Sequence, residues 1–92
     1  MEKYISIQNL LDAENEAVQK YNGLVDSINY ELEALDCLMI AKKSGMVRSV
    51  VYAYDFNMRK NKIENYLDKS KELEKEIAEL RMNLKTVLLP YA

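Results

Sequence analysis

Two carboxylates break into the apolar patterning of the first half of this 92-residue chain, Glu14 within a stripe and Glu31 on its flank. Glutamates facing the inside of a helical bundle are the raw material of a di-metal centre. Such centres also take a Glu-x-x-His element from other helices, and the chain contains no histidine. A place near the frayed start of the helix, or pairing of Glu14 with a lysine of an opposing arm, is the simpler expectation. Ser70 interrupts a stripe in the second half. With no histidine to take its proton, it reads as a packing or register residue rather than a nucleophile. Cys37, the single cysteine, has no partner for a disulfide within the chain, and a reactive thiol would need a cation beside it. Neither a glycine-rich phosphate loop nor a Ser-x-x-Lys element occurs. These residues predict a non-catalytic protein with no metal, no cofactor and no small-molecule substrate.

Aromatic residues beside cations form the other constellation. Tyr52, Tyr54 and Phe56 spread around a helical wheel and do not all point inward, and Arg48, Arg59 and Lys60 lie among them. Tyrosine and arginine are the residues most enriched at interface hot spots, and aromatics among cations also suit base stacking. The sequence therefore nominates Arg48, Tyr52, Phe56 and Arg59 as a partner-binding patch, against the plainer alternative of bundle packing.

Net charge is −2, but the distribution is uneven. Between Asp12 and Asp36 seven acids face Lys20 alone, whereas between Lys42 and Lys62 six cations face only Asp55. A pI near 5.2 argues against a nucleic-acid domain, which is basic over a whole face. Nucleic-acid docking through the basic segment 42–62 is the second choice. The first residues carry no apolar signal-peptide core, and the longest apolar runs fall far short of a membrane span. With one unpaired thiol, these features predict a cytoplasmic protein, with export by a route independent of a signal peptide as the variant.

The elements that would carry these residues follow from periodicity. Ile7, Glu14, Tyr21, Ile28 and Leu35 recur every seven residues, and Leu11, Val18, Val25, Leu32 and Met39 follow four behind. The column Leu10, Ala17, Leu24, Glu31 and Leu38 widens the stripe, and the column Gln8, Asn15, Asn22, Asn29 and Asp36 bounds it with polar residues. An amphipathic helix over about 6–43 is predicted. Lys42, Lys43 and Gly45 supply the C-terminal cations and the left-handed residue that close it.

In the second half Ile63, Ser70, Ile77 and Leu84 form one column, and Tyr66, Leu73, Leu80 and Val87 the other, ending before Pro90. Val47, Val51, Tyr54 and Met58 form a stripe out of phase with these. The sequence thus predicts a kink, break or stutter near residues 59–62 of a helix over about 46–88. A short hairpin pairing Tyr4–Ile7 with Val50–Phe56 is the competing assignment, and a two-stranded sheet is marginal alone.

The predicted fold is a single all-α domain over 1–92, an antiparallel two-helix hairpin turning at 44–45. Stripes three columns wide exceed what two helices can cover. A folded-back third helix, a second copy or another helical protein must complete a coiled-coil or four-helix bundle core. The layout of two long helices about a central glycine turn resembles the Trp-x-Gly family of type VII secretion proteins. Here the turn reads Ser44-Gly45-Met46 without the tryptophan, so only the shape is implied and no functional residue carries over. The expected function is protein–protein interaction, with itself or another helical protein, as an adaptor, secretion partner or phage-type inhibitor.

Overall fold

The computed structural model describes residues 2–89, with side-chain surroundings from residue 6 onward; Pro90 lies outside the described residues. Two helices account for nearly all of it: α1, Glu2–Lys43, and α2, Ser49–Leu88. They pack against each other as an antiparallel hairpin measuring 66 × 18 × 15 Å. There is no strand among the described residues, and the segments considered for a β-hairpin are helical.

The turn is built by backbone chemistry. Gly45 adopts φ +75°, which an L side chain resists. The Met46 amide donates to the Ala41 carbonyl at 2.9 Å and the Gly45 amide to the Lys42 carbonyl at 3.0 Å. This pair of bonds is the Schellman closure, and it satisfies carbonyls that the end of α1 would leave open. Ser44 Oγ adds a bond to the Ile40 carbonyl at 2.7 Å. The second helix begins at Ser49 rather than 46, because Met46 is used in closing α1 and Arg48 is extended (φ −68°, ψ 147°).

One expectation about phase is corrected: α2 runs unbroken through residues 59–62. The inward-facing residues repeat in one heptad from the start: Tyr52, Arg59, Tyr66, Leu73, Leu80 and Val87 are all half-buried. Arg59 occupies a seam position, so the column continues through a cation where the sequence suggests an interruption. The rival stripe faces outward instead, with Val51, Tyr54 and Met58 exposed.

Of the three columns in the α1 stripe, those of Ile7–Leu35 and Leu10–Leu38 meet α2, and the column from Leu11 to Met39 is the one left uncovered. Ala17, only 3% exposed, marks the tightest point of the seam. Of the five residues in the outward column, only Val18 is half-buried; Leu32 is 46% exposed. A contact between two helices accommodates two columns from each. The columns chosen include Glu14 and Glu31, for reasons that lie in their partners.

The continuity of α2 is testable at Asn61, which is exposed. Proline inside a helix costs about 3 kcal/mol or more, whereas a helix break accepts it. Asn61→Pro is expected to lower both helical circular dichroism and the melting temperature sharply. Tolerance of the substitution would restore the broken-helix picture.

Candidate interaction surfaces

Among the described residues three side-chain hydrogen bonds tie the arms together, and each uses a residue that interrupts or borders the apolar columns. Arg59 Nη1 donates to Glu31 Oε2 at 2.8 Å. The Glu31 side chain is 6% exposed and that of Arg59 28%, so this ion pair is largely withdrawn from water. Tyr21 OH donates to Glu74 Oε1 at 2.9 Å, and Arg81 Nε donates to Glu14 Oε1 at 3.0 Å. Glu14 therefore pairs across the hairpin, with an arginine rather than a lysine.

The three contacts differ in weight. Leaving one member of a buried pair without its partner costs about 3–5 kcal/mol, since a charge remains in a poor solvent. Arg81 is mostly in water, and exposed pairs contribute about 0–1 kcal/mol. The Glu31–Arg59 pair thus specifies which faces meet and in what register, and the other two reinforce it. Ser70, also buried, donates its hydroxyl to the Leu67 carbonyl at 2.7 Å and acts as a satisfied small residue within the seam.

The Tyr21 hydroxyl is raised above its ordinary value of 10.0, first by its hydrogen bond to Glu74, then by that carboxylate's charge, then by burial. A raised value means that the unfolded chain loses this proton first. The bond's contribution is therefore present below pH about 10 and lost as pH climbs through the higher folded value.

The four residues nominated as a partner patch do not share one environment. Arg48 is exposed at the turn. Tyr52 and Phe56 are half-buried and stack with ring centroids 5.7 Å apart, and Lys42 Nζ lies 4.1 Å from the Tyr52 ring centre. Arg59 is engaged by Glu31. Tyr52, Phe56 and Arg59 thus line the inter-helix seam, and the structure gathers them with Lys42 rather than with Arg48.

Ile40, Met46, Val50 and Tyr54 around the turn are strongly exposed, and a longer row of exposed apolar residues follows one flank. Along one flank of the hairpin run Leu11, Val25, Leu32 and Met39 of α1, with Leu67 and Leu88 of α2, all exposed. The opposite flank carries Ala13, Lys20, Ser27 and Ala34 from α1 and Lys62, Lys69 and Glu76 from α2. The α1 side of the first flank is apolar, whereas on its α2 side the charged residues Lys60, Glu74 and Arg81 lie between and beside Leu67 and Leu88; the opposite flank is small and charged. The heptad pattern marks this column as apolar, and the hairpin leaves it uncovered because the column containing Glu31 meets Arg59 of α2 instead.

Cys37 is exposed, and no group of three or more potential metal ligands occurs among the described residues. No helix among them is long and apolar enough to cross a membrane. The shallow depressions along the seam, such as that beside Val18, Tyr21, Glu74 and Arg81, are open grooves between the helices.

Substitution at the turn distinguishes seam from patch. Tyr52→Ala is expected to lower stability by about 1–3 kcal/mol, as partial core truncation does, while Arg48→Ala leaves the melt within about 0.5 kcal/mol. Equal, negligible effects would return Tyr52 to the free surface. In ultraviolet titration the contribution lost in Tyr21→Phe should ionise above 10.0, and it should move back toward 10.0 in Glu74→Gln; no movement in Glu74→Gln would show that Glu74 is not its cause. Compared with protein-family models, with curated proteins and with solved structures, the chain gives no match.

Proposed function

We propose that this chain is a non-catalytic helical module that works by protein–protein association, through the apolar flank running from Leu11 to Met39. The observation that carries this reading is the mismatch between what the hairpin buries and what it exposes. Among the described residues only Ala17, Ile77 and Leu84 are buried apolar residues, and no large side chain is fully enclosed. Five consecutive heptads meanwhile present an apolar residue outward. Contiguous exposed apolar surface of this kind marks interaction sites.

The accessible area supports the same reading. The chain exposes 7281 Å². A compact monomer of 10.7 kDa exposes about 5,500 Å². The radius of gyration is 20.3 Å, against about 12 Å for a globule of this length. A partner, either a second copy or another helical protein, completes a bundle whose first half this hairpin supplies. Adaptor, secretion-partner and inhibitor roles all use such a surface. Nucleic-acid docking through segment 42–62 has less support: Arg59 is engaged by Glu31, and Lys60 lies within 4.0 Å of Glu64.

The test combines melting curves over a hundredfold range of concentration with binding of a dye that reports exposed apolar surface. Self-association predicts a melting temperature that rises with concentration. A module awaiting a different protein predicts dye uptake by a helical monomer, lost in Leu32→Glu. Since Leu32 faces outward and the half-buried Leu73 inward, Leu32→Glu should keep its helicity where Leu73→Glu unfolds. A monomer with concentration-independent melting and no dye uptake would overturn the reading.

A further inference from the structure

We propose that the apolar flank is covered by a second copy of this chain, related by a two-fold axis that passes beside Val25 and Leu67. The inference rests on the association reading above and names the occupant and its register.

The apolar column fits its own reverse. Leu11, Val18, Val25, Leu32 and Met39 are evenly spaced about Val25. Antiparallel placement of α1 on α1 of a second copy sets Leu11 against Met39, Val18 against Leu32 and Val25 against itself. Each contact is apolar on apolar. The adjoining column, Gln8, Asn15, Asn22, Asn29 and Asp36, has one charge in five residues, in a chain that is 30% charged. Its reversal brings Asn22 to Asn29, Asn15 to Asp36 and Gln8 to Lys43, with no like charges facing.

The second helix obeys the same axis. Between the Tyr21–Glu74 and Glu31–Arg59 contacts, Val25 lies level with residues 65–70 of α2, so Leu67 is its neighbour on the flank. Val25 is 36% and Leu67 44% exposed. Reversal about Leu67 brings it against its own copy, Lys60 against Glu74 and Glu64 against Lys71. Both flanking pairs have opposite charge. An isologous interface must be self-complementary in this way, because each contact occurs twice. Seating α1 on α2 of the second copy fails the requirement. It would set Leu32 against Lys60, Val18 against Glu74 and Leu11 against Arg81.

The area agrees. One long face of the 66 × 18 × 15 Å hairpin is on the order of 1,000 Å². A standard interface takes about 800 Å² from each partner, and obligate homodimers take more. The charged flank through Lys20, Lys62 and Lys69 has no such apolar column to offer.

Disulfide trapping in a Cys37→Ser background tests the axis. Val25→Cys and Leu67→Cys should each oxidise to a covalent dimer at least tenfold faster than Gln19→Cys, which is exposed on the outer face of α1. Sedimentation equilibrium of the native chain should give twice the chain mass. Glu64→Lys should weaken the dimer about tenfold by facing Lys71, and adding Lys71→Glu should restore it. Trapping at residue 19 as fast as at 25 and 67, or a dimer trapped at neither 25 nor 67, would overturn this axis. A native chain sedimenting at single mass would overturn the second copy as occupant. Dye uptake by that monomer would then show that the association reading survives with a different partner.

Discussion

The ion pair between Glu31 and Arg59 determines how the rest of the hairpin is arranged. Both residues stand at heptad positions that would ordinarily be apolar, and each is tolerable there only because the other faces it at 2.8 Å. A buried carboxylate without that guanidinium would be costly, so the two helices have one rotation and one register in which the seam closes. Tyr21–Glu74 and Glu14–Arg81 fall into place in the same register. Such pairs are weak sources of net stability, and their best-attested use is to fix alignment. Here alignment has a further consequence. With two columns of α1 committed to the seam, its wholly apolar column is left outside.

The two faces of the hairpin therefore differ in character. The seam specifies the hairpin by charge and shape, with Ala17 and Ser70 allowing close approach and the Schellman turn at Gly45 setting the reversal. The apolar flank contributes little to the isolated hairpin and is available for association. A chain that instead buried its most hydrophobic columns would expose Glu31 and Arg59 and have no surface left to offer. Polar residues in the seam and apolar residues on the flank are two sides of one design.

Much of the architecture was legible in the sequence. The heptad columns of α1, the lysines before Gly45 and the columns from Ile63 to Val87 define two long helices and a central turn. The phase was not legible, and for a physical reason. Arg59 read within α2 is a charge that interrupts a stripe, and Glu31 read within α1 is a blemish on a flank; only their meeting makes both of them seam residues. The sequence likewise leaves open whether Tyr52, Phe56 and Arg59 pack in a bundle or face a partner with Arg48, and it is the pairing of Arg59 with Glu31 that draws three of the four to the seam. Periodicity within a helix shows which residues share a face, whereas which face turns inward depends on complementarity with residues far along the chain.

The most direct measurement of this account is a double-mutant cycle on Glu31 and Arg59, using methionine at each position and unfolding free energies. The account predicts that either single substitution costs about 3 kcal/mol or more by stranding the other charge. The double variant should cost no more than either single one, giving a coupling energy of about 3 kcal/mol. Coupling near zero, with two small and additive effects, would show that the pair does not set the seam and would contradict the account.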